Sequence, residues 1–401
     1  MHRAHKIKLI PTDAQAVYFA KACGTARHAY NWALAEWKRE YAEGGKPSEV
    51  ALRKRLNSIK ASEFPWMSEV TKNAPQQAIK NLGTAFQNFF RRVKQGNKPG
   101  YPRFKRKGVR DSFRADNGPQ SKGADAVKVV GKRVNLPRCG SVKMREELRF
   151  SGQVLSATVS RMADGWYITL LVDTEDRLEA KTNKGTVGVD LGVKELAVLS
   201  TGEVIPSLKP HRAAHKRLVR LSRSLNRKKK GSANRAKAKA KLARLHQRIS
   251  NQRVDALHKL SHRLVTEFST IGIEDLNVSG MLRNRHLARS IADAGFHEFR
   301  RQLDYKSQMT GANVYVADRF FPSSKTCSVC GTINDLTLAD RTYMCGCGNV
   351  IDRDLNAAIN LKNMAASYVV TACGEEGAGH DVRIMAKPAS VKQEAISSDF
   401  A

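Results

Sequence analysis

The sequence predicts an α+β chain of several domains, and three observations predict it. Apolar residues recur at helical spacing in residues 14–45 and again in 79–93, and short β-branched runs broken by Gly and Pro fill residues 112–173. From residue 185 onward strands alternate with helices, the mark of an α/β domain. At 401 residues there is length for two or three such domains and at least one sizeable core.

After a strand-like start at residues 6–10, Pro11-Thr12-Asp13 has the form of a helix entry. The segment AQAVYFAKACGTARHAYNWALAEWKREYAEGG then keeps helical periodicity and stops at Gly44-Gly45. Ile79, Leu82, Phe86, Phe89 and Val93 share one face of another helix. That helix ends at KQGNKPGYPRFKRKG, a Gly/Pro loop interleaving Tyr101 and Phe104 with basic residues; the two rings are open to core packing or to contact with nucleic acid. AVKVVGKRVNLPR, GQVLSATVSRM and GWYITLLVD predict an antiparallel sheet or small barrel, and polar TEDRLEAKTNK predicts a linker.

GTVGVDLGVKELAVLSTGEVI predicts two or three strands with tight turns. The basic block that follows predicts two helices broken near Lys230-Gly231-Ser232. Leu218, Leu221 and Leu225 mark the buried stripe of the first, and Leu242, Leu245, Ile249, Leu257, Leu260 and Leu264 that of the second. A strand in STIGIEDLNV, a helix over residues 292–310 and a strand in ANVYVADRF complete the α/β order. Beyond residue 366 the chain is polar without sustained periodicity, which predicts disorder.

Charge narrows the function. Seventy Lys+Arg against 37 Asp+Glu leave a formal net of +33, which calls for a polyanionic partner, most commonly nucleic acid. A merely solvated basic surface would spread its charge, yet no acidic residue occurs between Glu203 and Asp255. No apolar run has the length of a bilayer span or a signal-peptide core, so the expectation is a cytosolic protein without a membrane partner.

Of seven cysteines, four crowd together: Cys327, Cys330, Cys345 and Cys347, as C-x2-C and C-x-C with Gly331, Gly346 and Gly348 permitting tight turns. Four thiolates in two close pairs suit a closed tetrahedral Zn2+ site of structural type, against free thiols or a redox pair as rivals.

Three carboxylates stand out. In GTVGVDLGVK, Val187, Val189 and Leu191 alternate with Gly188, Asp190 and Gly192, so Asp190 faces away from the apolar side between glycines that leave room for a bulky ligand. In TIGIEDLNV, Ile271 and Ile273 share one face and Glu274 lies on the other with Gly272; Asp275, on the isoleucine side, is the poorer candidate. In DRDLNAAINL, Asp352 fits an N-cap, and Asp354 sits in the first turn above a stripe of Ala358 and Leu361 that must bury against the sheet. Each alone could be a turn former. Together at one sheet edge they would repel unless cations neutralised them, and two Mg2+ ions about 4 Å apart perform phosphodiester cleavage in such a setting.

GVDLGVK, GIEDLNV, CSVCG…CGCG and DRDLNAAINL, in that order, resemble the TnpB proteins encoded by bacterial and archaeal insertion sequences, relatives of type V CRISPR effector nucleases. IPT…AYNWAL and GYPRFKRK extend the likeness to nearly the whole chain. The resemblance implies a wedge-type β-barrel at residues 1–10 and 106–180 carrying a helical recognition domain at 11–105. It further implies an RNase H-like, RuvC-type nuclease domain at 181–325 and 351–366, a zinc ribbon at 326–350 and a disordered tail at 367–401.

Asp190, Glu274 and Asp354 fall on the family's catalytic positions, as ligands of two Mg2+ ions, and Cys327, Cys330, Cys345 and Cys347 fall on its Zn2+ positions. The C-x-C pair is tighter than the family's usual second pair. The implied activity is transposon-encoded, RNA-guided DNA cleavage, with a guide RNA from the transposon end and double-stranded target DNA beside a short motif. A monomer with one RNA, in the cytoplasm at the nucleoid, is the implied setting. The basic helices of residues 211–253 would neutralise phosphates. The alternatives are a nuclease-inactive RNA-guided DNA-binding regulator and a transposase acting directly on transposon ends.

Overall fold

The computed structural model describes residues 1–118, 126–174, 185–337 and 340–373. Nearly all of the expected linker, and the tail beyond residue 373, lie outside the described residues. Two compact units divide the chain, Met1–Arg177 and Leu178–Ala401. Among the described residues no helix is long and apolar enough to cross a membrane.

The first unit opens with β1 (His2–Ile10) and α1 (Asp13–Ala42). Thr12 starts the helix with a capping box: its hydroxyl accepts from the Gln15 amide at 3.3 Å, and the Gln15 side chain accepts from the Thr12 amide at 3.1 Å. Next come α2 (Glu49–Glu63) and α3 (Asn73–Lys94). α2 is not foreseen from sequence, because it buries only Leu52 and Leu56, too few positions to make a periodic stripe. The stripe of α3 is buried at Ile79, Leu82 and Phe86 but half-exposed at Val93, so the helix runs past the core at its C-terminal end.

Six strands follow: β2 (Ser112–Asp116), β3 (Lys128–Val130), β4 (Arg133–Leu136), β5 (Gly140–Met144), β6 (Gln153–Met162) and β7 (Gly165–Asp173). With β1 they form an antiparallel sheet in the order β2-β6-β7-β1-β5-β4-β3. β1 serves two neighbours in succession, pairing residues 2–8 with β7 and residues 9–10 with β5. The Asn117 amide stands in for a ladder at the sheet's ends. Its Nδ2 donates to the carbonyls of Val127 and Val154 at 2.9 Å each, and its Oδ1 accepts from the Val127 amide at 2.7 Å. Phe19 of α1 packs at 6.0 Å from Phe113 and 5.3 Å from Trp166, joining helices and sheet in one core.

The second unit holds β8 (Thr186–Leu191), β9 (Glu195–Leu199), β10 (Val204–Pro206), α4 (Pro210–Asn226), α5 (Ala233–Glu267) and β11 (Thr270–Ile273). It continues with α6 (Val278–Met281), α7 (Ala288–Ala294), α8 (Phe296–Thr310), β12 (Asn313–Val316), β13 (Thr342–Met344), β14 (Val350–Asp352) and α9 (Arg353–Cys373). The sheet order is β10-β9-β8-β11-β12, antiparallel from β10 to β8 and parallel from β8 to β12. This is the α/β arrangement expected from the strand and helix order. The helix expected at residues 292–310 is two helices, split at Gly295, where φ of +74° requires glycine. α9 continues through Cys373, so residues 367–373 are helical and not part of a disordered tail; no Gly or Pro interrupts the run until Gly374.

The basic block is a helical hairpin, as expected, with Ser232 capping α5 and Leu218, Leu245 and Ile249 buried between its arms. A buried acid fixes its start. Asp293 of α7 accepts from the His211 amide at 3.1 and 3.0 Å and from the Arg212 amide at 3.2 Å, capping α4 from outside.

Val187, Val189, Ile271 and Ile273 pack with Leu257 and Leu264 of α5 and Leu303 of α8 on one face of the sheet. α9 lies on the other. A Cβ on Gly188 would stand 1.9 Å from the Ala358 carbonyl oxygen, and one on Gly272 would stand 2.2 Å from that of Leu361. The expected room for a ligand beside Asp190 is therefore taken, at Gly188, by the backbone of α9. Gly188→Ala or Gly272→Ala must push the helix off the sheet, and each should lower unfolding free energy by about 3 kcal/mol or more, read by denaturant titration.

Candidate active site and metal centre

The parallel register pairs Gly188 with Gly272 and Val189 with Ile273. One step further along each strand stand Asp190 and Glu274, side by side at adjacent strand ends about 4.8 Å apart. Both follow an apolar residue buried on the core face, so alternation turns both carboxylates toward the α9 face. Ala358, Leu361 and Ala365 of α9 are fully buried along that face, and Asp354, one turn before Ala358, is carried to the same edge.

The helix start is built as the sequence predicts. Asp352 accepts from the amides of Asp354 and Leu355 at 3.0 Å each. Asp354 accepts from Arg353 Nη2 at 3.1 Å and lies 4.0 Å from Arg341 Nη1.

Burial pushes the Asp190 carboxyl well above the usual carboxylate range, and repulsion from Glu274 and Asp354 pushes it further, with Arg353 opposing. Burial also raises Glu274; the Ser323 hydroxyl, donating to its Oε1 at 2.5 Å, opposes this, and Asp354 adds to it. The neighbouring Asp275 has the opposite fate. Against its own desolvation, hydrogen bonds from Arg300 and Arg319, both 2.6 Å, hold it below the ordinary range.

Such a set of half-buried, mutually repelling oxygens fits divalent cations, which prefer oxygen donors and remove the repulsion.

The four clustered cysteines meet as the sequence predicts. The four sulfurs all lie within 4.8 Å of one another, with Cys327–Cys347 at 3.7 Å and Cys330–Cys345 at 3.5 Å. A tetrahedron with metal–sulfur bonds of about 2.3 Å has edges of about 3.8 Å, so the thiols are spaced to hold one metal ion. The short C-x-C pair closes through a turn in which Cys345 donates to Asn349 at 2.9 Å and Gly348 to Cys345 at 3.0 Å. The tighter spacing does not spoil the cluster.

Sequence reasoning missed Ser323, Asn356 and Asn360. Asn360 donates to the carbonyls of Ser323 and Thr326 at 2.7 and 2.6 Å, and Asn356 donates to Thr326 at 2.7 Å while accepting from the Ser328 amide at 3.0 Å. These two side chains, one turn apart on α9, tie down the loop that bears both Ser323 and Cys327. Their i, i+4 spacing in LNAAIN was visible, but an asparagine on the buried stripe signals nothing until the backbone it must satisfy is known.

Three families match parts of the chain. The family described as "Probable transposase" (OrfB of IS605) matches residues 169–285, a "Cas12f1-like, TNB domain" matches 296–361, and a "Helix-turn-helix domain" matches 1–46. That last segment folds here as β1 and the single long α1. A Streptomyces pristinaespiralis protein named "Putative RNA-guided DNA endonuclease" is 39% identical, covering 93% of this chain and 91% of its own. An Escherichia coli K12 protein of the same name, InsQ, is 32% identical, covering 93% and 94%. Among solved structures, the mini-RNA-guided endonuclease CRISPR-Cas_phi3 aligns over 91% of this chain and 92% of its own, with a TM-score of 0.47 and 8% identity.

The raised carboxyls give a stability test. Asp190 and Glu274 bind protons more tightly in the folded chain, so the penalty for their charge is absent below the unfolded carboxylate range, near pH 4, and grows as pH rises through their folded pKa values. Asp190→Asn should therefore stabilise the metal-free protein at pH 7, with the gain shrinking toward pH 4, in denaturant melts run in chelator. Added Mg2+ should stabilise the wild type and leave the variant unmoved.

Proposed function

The chain belongs to the TnpB family, the OrfB proteins of IS605-type elements, and from that premise we propose that it is an RNA-guided DNA endonuclease that hydrolyses phosphodiester bonds with Mg2+. The observation that carries the nuclease chemistry is the meeting of Asp190, Glu274 and Asp354 at one sheet edge, where burial and repulsion from neighbouring acids raise Asp190 and Glu274.

Asp190 and Glu274 would share two Mg2+ ions and Asp354 would hold one of them. The ions, when bound, supply Lewis acidity to the phosphoryl oxygens and make water a nucleophile near neutral pH. The side chains act by position. The Ser323 hydrogen bond fixes the Glu274 rotamer, Asp352 fixes the first turn of α9, and Arg353 and Arg341 place positive charge beside Asp354. No general base is needed from the protein.

The four cysteines hold Zn2+ in a closed site with no open position for chemistry. The five-stranded sheet with its helices is the RuvC-type nuclease domain, β13 and β14 with the cysteine loops the zinc ribbon, and α1–α3 the recognition helices. The seven-stranded sheet, its ends joined through Asn117, is the wedge-type barrel. The basic hairpin of α4 and α5 neutralises phosphates of a guide–target duplex, and base pairing with a guide RNA from the transposon end reads the sequence. The three intact carboxylates favour this over a nuclease-inactive regulator. A transposase acting on transposon ends would not follow a changed guide.

Protein purified with its RNA should cut double-stranded DNA at sites that move when the guide is changed. Asp190→Ala, Glu274→Ala and Asp354→Ala should each lower cleavage by at least roughly a hundredfold while leaving guide-dependent DNA binding in gel-shift assays. Cleavage independent of the guide would sink the proposal. Cys345→Ser should lose bound zinc, measured by mass spectrometry, and most cleavage with it, because the ribbon hands directly into α9.

A further inference from the structure

Whether Tyr101 and Phe104 belong to the core or to a surface has an answer in the first unit. Trp37 of α1 stacks on Phe86 of α3 with centroids 4.1 Å apart and planes 8° from parallel. Phe90, one turn on, extends the stack at 6.3 Å and 27°. The column starts in the core, where Phe86 is 2% exposed, and surfaces at Phe90, which is 48% exposed. Tyr101 meets Phe86 and Phe89 edge-on at 5.6 and 5.4 Å, holding the loop against the helix. Tyr101 and Phe104 are both nearly half exposed, and Lys38 Nζ lies over both rings, at 5.5 and 4.9 Å.

From Phe89 to Arg110 the chain carries nine Lys and Arg and no acidic residue. Open aromatic faces amid unbroken positive charge match one chemistry well: a flat π ring flanked by phosphates. An acidic peptide would satisfy the cations and leave the rings wet. The outermost ring has about the area of one base, too small to cap a base pair.

We propose that Phe90, with Tyr101 and Phe104 beside it, is a stacking platform for an unpaired nucleobase of a single strand whose flanking phosphates are held by Arg91, Arg92 and Lys94. This rests on the nucleic-acid reading above and adds to it a contact made by a base and not by the backbone.

The test uses the full chain and an oligothymidylate carrying one 2-aminopurine, made as DNA and as RNA. Binding should quench the fluorophore. Phe90→Leu keeps the apolar packing and removes the π face; it should abolish the quench and weaken binding about tenfold, while Phe90→Trp should deepen the quench. Arg91→Ala with Arg92→Ala should flatten the salt dependence yet leave the quench at saturation. A quench confined to the RNA or the DNA probe supports the platform and names the strand it serves. A quench that survives Phe90→Leu, or equal competition by a blunt-ended duplex, overturns the assignment. A wild type that binds neither probe at any salt overturns the nucleic-acid reading itself.

Discussion

The second unit depends on two missing side chains. Gly188 and Gly272 stand abreast on adjacent parallel strands and let the backbone of α9 rest directly on the sheet. Everything about the carboxylate site follows from that contact. It sets the height of the helix, so that Asp354 in its first turn reaches the edge where Asp190 and Glu274 end their strands. It also fixes register. A slip of one residue in either strand would put a valine or isoleucine under the helix and turn a carboxylate into the core, a change that no local adjustment could absorb.

A second constraint joins this site to the cysteines. β14 ends at Asp352, and the same residue caps α9, so no linker separates the ribbon's hairpin from the helix that bears Asp354. Asn356 and Asn360 close the frame from the other side by holding the loop between Ser323 and Ser328. One end of that loop donates to Glu274, and the other begins the first cysteine pair. Buried amides with all partners in place are rigid, and they are costly when one partner moves. Any disturbance of the cysteine cluster therefore bears on Glu274 and Asp354 at once, through hydrogen bonds and not through distance.

The three carboxylates, the four cysteines and the N-cap were all legible in the sequence, because each rests on a local rule: strand alternation, ligand spacing, or the first turn of a helix. What those rules could not see was the partner across the fold. Glycines beside Asp190 looked like space for a ligand, and at Gly188 the space belongs to Ala358 and Lys362 of a helix far along the chain. Asp293 capping α4, Asn117 joining the ends of a sheet and Ser323 on Glu274 are each ordinary polar residues in sequence, given meaning by a long-range acceptor or donor. α2 went unseen because two buried leucines make no pattern.

The contrast between Glu274 and Asp275 bears most directly on what the site is for. They are neighbours in a chain with a formal charge of +33. Asp275 takes two arginines and is held ionised. Glu274 takes a neutral hydroxyl and stays raised, as does Asp190 beside it. A fold selecting only for stability would relieve these two acids as it relieves Asp275, since an uncompensated buried charge is among the more expensive features a protein can keep. Basic helices draw a polyanion in over many ångströms, but at contact the same acids would repel its phosphates. Both facts accord with the proposed function, in which divalent cations bring the missing positive charge and a phosphodiester is accepted at this edge only together with them.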